Sequence, residues 1–221
     1  LNEENPNEVK ENSATLAPCL RRDHVSILIG STIFLYGGQN TDKEYLNDCW
    51  IYEIKTDKWS IVEFAGKYPP PIGHHCCCLA LERDQLINDT FTIYHKPTNN
   101  RKTFPLLKID GLFFFGGINN NKMATNLLFH MSIGLKPVIF DIPQTNGMPP
   151  SPRIDATMNF ANNIDMIIIH GGKNDSISPP VFNDIYLLDL ETMDWIRPSF
   201  KGQPPLERSQ HLSEIIGEDL I

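Results

Sequence analysis

The sequence predicts an all-β repeat protein built of four-stranded antiparallel sheets, and three observations lead to this prediction. Short β-branched or aromatic runs recur along the 221 residues, and each ends in two glycines. A second segment, which contains Asn, Asp and aromatic residues, follows the glycines at a constant spacing. Proline-rich turns then precede the next copy. Because a small sheet cannot bury both of its faces alone, we expect these sheets to stack on one another.

The first repeated element is a strand that ends in diglycine. These runs cover residues 33–36, 112–115 and 167–170, and their composition predicts buried strands. Glycine supplies a positive φ or a close backbone approach where such a strand ends. The glycines assigned to this structural signature are Gly37, Gly38, Gly116, Gly117, Gly171 and Gly172.

The second element follows the first and third diglycines. Residues 46–59 and 182–195 align without a gap at an offset of 136, which is 182 − 46. The middle copy is degenerate: at an offset of 79, which is 116 − 37, Phe129 falls under Trp50 and Val138 under Trp59. Large aromatic side chains at recurring strand positions predict the core between sheets. The signature positions in this element are Trp50, Trp59, Tyr186 and Trp195.

The third element precedes each pair of predicted strands and has the pattern Arg-x-x-His. Arginine takes its first position in three copies, and Ile72 replaces it in the second copy. We call Arg21, Arg153 and Arg208 the lead-in arginines. One unit is then a meander of four strands, and radial stacking of such sheets, at roughly 45 to 55 residues per unit, gives a β-propeller.

Together these motifs resemble the kelch repeat. The resemblance is carried by the diglycine, the Asn-Asp before an aromatic strand, the spacing from Tyr52 to Trp59 and the proline-rich turn before Arg-x-x-His. It implies a kelch-type β-propeller of four-stranded antiparallel blades, of which about three to three and a half are present. We expect a ring completed by further C-terminal blades or by another chain. The predicted domains are a polar tail or linker over residues 1–20 and a partial propeller over 21–221, with repeats at about 21–68, 69–148, 149–203 and 204–221.

The second repeat carries an insertion at about residues 82–109. Its basic side chains include Lys96, Arg101 and Lys102, on a chain whose net charge is 19 − 27 = −8. A long loop of this kind is either a solvated surface hairpin or a projection that binds a partner. We treat these three residues as candidate partner-binding residues.

The lead-in arginines have two alternative roles. They could ring the mouth of a central channel and bind acidic side chains of a partner through their planar guanidinium groups. They could equally tie adjacent blades together through hydrogen bonds to backbone carbonyls. The sequence leaves both alternatives open, so Arg21, Arg153 and Arg208 are also candidate partner-binding residues.

No catalytic, metal or cofactor motif is predicted. The run from His74 to Cys78 suggests a metal site, but His75 shares its repeat position with His24 and His211, which indicates a structural slot that hydrogen-bonds a neighbouring blade. Consecutive cysteines on a strand point to alternate faces. Five cysteines, an odd number without a Cys-x-x-Cys pair, favour a reducing, cytoplasmic location. The acidic balance argues against nucleic-acid and membrane binding.

The resemblance implies a non-enzymatic scaffold or adaptor that recognises another protein through its propeller loops. It also leaves two alternatives. One is a kelch-type enzyme similar to sugar isomerases or copper oxidases. The other is a targeting module fused to an enzyme such as a protein phosphatase or a ubiquitin ligase. A cytoskeletal or ciliary association is a further expectation from the family, and the fold alone does not choose among these roles.

Overall fold

The computed structural model describes residues 16–81, 111–132 and 137–221, and this part of the chain contains strands, turns and loops without a helix. No helix that could span a membrane is therefore found among these residues. Most of the predicted tail and the predicted insertion lie outside the described residues. The strands in chain order are β1 (Arg21–Arg22), β2 (Val25–Ile29), β3 (Thr32–Tyr36), β4 (Gln39–Asn40), β5 (Cys49–Glu53), β6 (Lys58–Ile61), β7 (Ile72–Gly73), β8 (Cys76–Ala80), β9 (Gly111–Phe115), β10 (Ile118–Asn119), β11 (Leu128–Ser132), β12 (Phe140–Asp141), β13 (Thr157–Ala161), β14 (Met166–His170), β15 (Ile185–Asp189), β16 (Trp195–Ile196), β17 (Ile215–Ile216) and β18 (Asp219–Leu220).

Three four-stranded antiparallel sheets follow one another along the chain, and we call them blades 1, 2 and 3. Their strand orders are β2-β3-β5-β6, β8-β9-β11-β12 and β13-β14-β15-β16. In each blade the second strand ends immediately before the diglycine and the third begins after Asn-Asp or its equivalent. The predicted meander is therefore confirmed. The fourth repeat contributes the hairpin of β17 and β18.

Two apolar cores hold the three blades together, one between each neighbouring pair. Because side chains alternate along a strand, Phe34 and Tyr36 of β3 enter the core shared with blade 2, whereas Phe113 and Phe115 of β9 enter the core shared with blade 3. The core between blades 1 and 2 contains Phe34, Tyr36, Cys49, Val62, Ile72, Leu112, Phe114, Phe129, Met131 and Phe140. The core between blades 2 and 3 contains Cys76, Cys78, Ala80, Phe113, Phe115, Leu128, Met158, Ile167, Ile169, Tyr186, Leu188, Leu190, Met193 and Trp195.

The outer strand of blade 2 corrects the predicted alignment at Val138. In blade 1, Trp59 pairs with Tyr52, but the corresponding partner of Met131 in blade 2 is Phe140. At the end of this hairpin, blade 1 pairs Glu53 with Lys58, whereas blade 2 pairs Ser132 with Ile139. The connection between the third and fourth strands is therefore two residues longer in blade 2. Val138 instead forms a parallel bridge with Phe64, which follows blade 1.

Candidate interaction face

The junction between successive repeats is a pair of backbone hydrogen bonds that recurs three times. We call the first residue of each Arg-x-x-His element, including Ile72 in the second repeat, the lead-in residue. The N–H of the second glycine of each diglycine donates to the carbonyl of the next lead-in residue. The N–H of that lead-in residue donates to a carbonyl of the loop that follows the diglycine. Such reciprocal bonds satisfy backbone groups that packing would otherwise leave unpaired. The pairs are Gly38 N to Ile72 O (2.8 Å) with Ile72 N to Leu46 O (3.1 Å), Gly117 N to Arg153 O (2.8 Å) with Arg153 N to Thr125 O (3.1 Å), and Gly172 N to Arg208 O (2.8 Å) with Arg208 N to Phe182 O (3.0 Å).

The close approach at this junction explains the first glycine of the pair. Gly37 has a φ of +67°, in the left-handed region that glycine favours. A Cβ at this position would lie 2.5 Å from the carbonyl oxygen of Ile72, which belongs to the next repeat. Both backbone conformation and space therefore require glycine here.

The Arg153 side chain is fully buried and lies inside its own blade. Nη1 and Nη2 donate to Oδ1 and Oδ2 of Asp184 at 2.5 and 2.9 Å, and Nη1 also donates to the carbonyl of Gly171 at 2.8 Å. The Arg153 side chain has 0% exposure and the Asp184 side chain 14%. The guanidinium also lies over the Phe182 ring, with Cζ 4.2 Å from the ring centroid.

Arg21 repeats this arrangement in blade 1. Its Nη1 and Nη2 donate to the two carboxylate oxygens of Asp48 at 2.6 and 2.8 Å, and Nη1 donates to the carbonyl of Gly37 at 3.1 Å. Burial raises the pKa of Asp48, but hydrogen bonds from Arg21 and Trp50 outweigh burial, so the net pKa is lowered. Both arginine side chains thus bond within their own blade, and the reciprocal bonds at the diglycine junction come from the backbone.

Blade 2 lacks both members of this ion pair. Ile72 stands at the position of Arg21, and Leu127 stands at the position of Asp48, since 48 + 79 = 127. Ile72 is buried in the core between blades 1 and 2, and Leu127 packs against the same core. The charged pair and the apolar pair are therefore alternative solutions at one site.

Arg208 begins the fourth repeat. Its Nε donates to the carbonyl of Leu206 at 3.0 Å, as Nε of Arg153 does to Ser151. Arg21 and Arg153 hold their own blades together, so the predicted tie from their side chains to an adjacent blade is wrong for these two arginines. Partner binding by Arg21, Arg153 and Arg208 stays a prediction. Lys96, Arg101 and Lys102 lie outside the described residues.

The histidine slot of the Arg-x-x-His element is used differently in different repeats. His75 is buried, and its ring contacts Tyr36 of blade 1 at a centroid distance of 5.1 Å. Among the described residues neither of its ring nitrogens has a hydrogen-bond partner, and burial lowers the pKa of His75 to about 3. The predicted inter-blade hydrogen bond is therefore wrong for His75. It is confirmed for His211, whose Nε2 lies 3.3 Å from Thr157 Oγ1.

A row of polar residues that sequence reasoning missed runs through all four repeats. It consists of Asp23, His74, Asp155 and Gln210, and we call it the polar row. Each member stands two residues after the lead-in position and has a φ between 55° and 57°. The N–H of each later member donates to the carbonyl of the member before it, at 2.9, 3.0 and 3.0 Å. The signal was a polar residue at one position of every repeat.

The side chains of the polar row are also linked. Nδ1 of His74 lies 2.8 Å from Oδ1 of Asp155, and its Nε2 lies 3.2 Å from Oδ2 of Asp23. Nε2 of Gln210 donates to Oδ2 of Asp155 at 3.4 Å. The hydrogen bond with Asp155 raises the pKa of His74, and the charges of both carboxylates add to it, which outweighs burial and the charge of Arg22.

Three exposed loops lie at the same end of the blades as the lead-in residues, and we call this end the loop face. The loops cover residues 39–45, 118–124 and 173–181, and an antiparallel bridge closes each of them. The third loop is two residues longer than the others. Nearby, Tyr45 N donates to Asn120 Oδ1 at 2.9 Å, which ties the first loop to the second.

The first two loops share one backbone shape but present different side chains. Lys43 and Lys122 have φ values of 66° and 58°, and each N–H donates to the carbonyl three residues earlier. The exposed residues around them are Asp42 and Glu44 in the first loop, and Asn121 and Met123 in the second. A rigid scaffold with variable loop tips is the usual arrangement of a binding surface.

The predicted insertion connects to the opposite end of blade 2. It follows β8 and precedes β9, at the end where β2 and β3 are joined in blade 1. The lead-in arginines and the attachment points of the insertion are therefore not brought together.

The cysteines are free thiols: Cys49, Cys76 and Cys78 are buried, Cys77 is half-buried and Cys19 is exposed. Cys76 and Cys78 enter the core toward blade 3, whereas Cys77 packs toward blade 1, so the predicted alternation is confirmed. Burial raises the pKa of Cys76 to about 12. Within residues 16–81, 111–132 and 137–221, no group of three His, Cys, Asp or Glu side chains is placed to hold a metal ion.

Comparison with known proteins identifies the family. The sequence model of the KLHDC2/KLHL20/DRC7 Kelch-repeats domain matches residues 106–221, more than half of the chain, and the Kelch motif matches residues 20–63. The chain therefore belongs to the kelch-repeat family. Members of this family are typically protein-interaction modules, and they bind other proteins.

Several curated relatives match most of this chain. It is 27% identical to human host cell factor 2 over 217 residues, which are 89% of the chain and 23% of that protein. It is 26% identical to acyl-CoA-binding domain-containing protein 4 of Arabidopsis thaliana, covering 91% of the chain and 34% of the relative. It is 22% identical to bovine Kelch domain-containing protein 3, covering 94% and 62%. The chain spans less than two thirds of each relative.

Proposed function

We propose that this chain is part of a kelch propeller that acts as a non-enzymatic scaffold or adaptor and binds a partner protein on its loop face. The single observation that carries the proposal is the pair of loops at residues 39–45 and 118–124, which keep one backbone shape and vary their exposed side chains. The repeated junction bonds fix these loops to the blades. A surface of this kind recognises a partner by its side chains, with little rearrangement of the backbone.

We also infer that further blades complete the ring, supplied by more of the same chain or by another chain. The face of blade 1 that points away from blade 2 supports this inference, because Leu28 is 60% exposed and Ile61 53% exposed on it. Apolar side chains exposed on one sheet face favour a covering layer. A cytoplasmic location, with a cytoskeletal or ciliary association, is part of the same proposal.

The shared loop backbone permits a sharp test in the full-length protein. A reciprocal swap exchanges the loop tips while keeping composition, through Asp42→Asn, Glu44→Met, Asn121→Asp and Met123→Glu. We expect the swapped protein to melt as the wild type does and to lose capture of the partner. The matched control is Lys55→Ala, an exposed position at the opposite end of blade 1. Equal capture by swap and wild type would contradict the proposal.

A further inference from the structure

We propose that the polar row is a proton-dependent clamp, in which protonated His74 ties blades 1, 2 and 3 together. Imidazolium carries an N–H and a share of the positive charge at both ring nitrogens. Nδ1 hydrogen-bonds Oδ1 of Asp155 at 2.8 Å, and Nε2 lies 3.2 Å from Oδ2 of Asp23, a buried oxygen that has no hydrogen-bond partner among the described residues, so this second link is an ion pair. Neutral imidazole has a single N–H and can serve only one of the two carboxylates. The other carboxylate then faces a ring-nitrogen lone pair, which weakens one of the two links.

The clamp lies where it can stabilise both junctions between the three blades. Asp23 precedes blade 1, His74 precedes blade 2 and Asp155 precedes blade 3, so one proton acts on two junctions. The three side chains are only 24%, 22% and 10% exposed, which limits screening by water. The backbone bonds of the row run through the same residues, and loss of a side-chain link therefore exposes them to opening.

Among the titratable groups around His74, the two carboxylates have the main influence on its protonation. Arg22 competes for Asp23, because its Nε lies 3.5 Å from Asp23 Oδ2. Burial raises the pKa of Tyr45, whose ring lies beside Gly73, so Tyr45 stays neutral. Burial lowers the pKa of His24 and of His75, so both imidazole rings favour the neutral form.

The sign of the pH effect follows from the raised pKa of His74 in the folded protein. A base with a raised pKa adds stability that is fully present below its ordinary value of 6.5. This stability is lost as the pH rises through the raised value. The clamp is therefore closed below pH 6.5 and opens as the pH rises through the raised pKa of His74.

The direct test compares full-length wild type with His74→Gln. Glutamine fits this backbone, because Gln210 occupies the same row position with a φ of 56°. We expect the wild type to melt about 2 to 4 °C higher near pH 5.5 and the difference to shrink by more than half near pH 8.5. Other titrating groups are common to both proteins and cancel. A difference that is constant, or that grows with pH, overturns the proposal.

A second readout keeps the proposal testable where the variant fails to fold. In the wild type, the amide of Asp155 donates to the carbonyl of His74, and the amide of Gly38 donates to Ile72 outside the row. We expect hydrogen-exchange protection of the Asp155 amide to fall several-fold between about pH 5.5 and about pH 8.5, relative to the Gly38 amide. Equal protection factors at both pH values overturn the clamp. Neither readout involves a partner, so failure here is distinct from failure of the loop-face proposal.

Discussion

Arg153 and Asp184 form a bidentate ion pair inside blade 3, at distances of 2.5 and 2.9 Å. Blade 1 has the same pair, and blade 2 replaces both partners with the apolar residues Ile72 and Leu127. A buried charge is tolerated where its partner is present, whereas an apolar pair of similar volume needs no compensation. The two positions therefore behave as one structural unit.

This unit predicts strong coupling between two substitutions. We expect Arg153→Ile alone to lower the free energy of unfolding by about 3 kcal/mol or more, because Asp184 keeps a poorly solvated charge. The double variant with Asp184→Leu copies blade 2 and should recover most of this loss. Urea unfolding of the wild type, both single variants and the double variant gives the coupling energy. Purely additive losses would contradict the account.

The same double variant tests whether the lead-in arginines bind a partner. We expect it to capture the partner as well as the wild type does, because the Arg153 side chain is used within its blade. If capture falls while stability is unchanged, the lead-in position contributes to the binding surface instead.

Substituting the first glycine of a diglycine should destabilise the fold by steric crowding in addition to backbone strain, and the two effects can be separated. Gly37 and Gly217 have φ values of +67° and +65°, but a Cβ at Gly217 meets no atom within 4 Å. Gly217→Ala should therefore show only the left-handed backbone penalty of about 1 to 2 kcal/mol. Gly37→Ala should cost at least twice as much, because the new Cβ meets the Ile72 carbonyl. Equal losses in thermal or urea unfolding would refute the close approach.

The junction between blade 3 and the fourth repeat is predicted to weaken in acid. His170 and His211 stack edge to face at 5.0 Å, and burial is the main cause of a lowered pKa for each of them. A lowered histidine pKa adds stability that is present above 6.5 and is lost as the pH falls through the lowered value. Hydrogen exchange of the Gly172 amide should therefore become faster below about pH 6, after correction for intrinsic rates, while Gly38 serves as the control. Unchanged relative protection would count against this prediction.

The insertion makes a separate prediction, because its attachment points lie at the end opposite the loop face. Replacing Lys96, Arg101 and Lys102 with Ala should leave capture of a loop-face partner unchanged. The measurement is partner affinity at low and physiological salt, since a basic binding site would show a strong salt dependence. A clear loss of affinity at unchanged melting temperature would move the binding surface to the insertion.

Much of this fold could be predicted from sequence because the same pattern of residues occurs in several repeats. The diglycines and the aromatic strand positions recur in register, so the meander and the alternation of the cysteines followed directly. The position of Phe140 did not, since an alignment without gaps cannot show that one hairpin is two residues longer. The missing hydrogen bond of His75 also required coordinates, because the same slot holds an apolar contact in one repeat and a polar one in another.

The polar row was overlooked for a different reason. Its members are chemically unlike one another, and only their shared place two residues after the lead-in position relates Asp23, His74, Asp155 and Gln210. A search for identical residues passes over such a position. Complementary polar residues that alternate between repeats indicate contact across the junctions.

Partner binding on the loop face is tested by a hydrogen-exchange footprint of the captured partner on the full-length protein. We expect new protection of amides in residues 39–45 and 118–124, on the loop face, with no change at the turn between β5 and β6 at the opposite end of blade 1. Protection confined to that opposite end, or no protection of the loops in a complex of proven stoichiometry, would contradict the proposal.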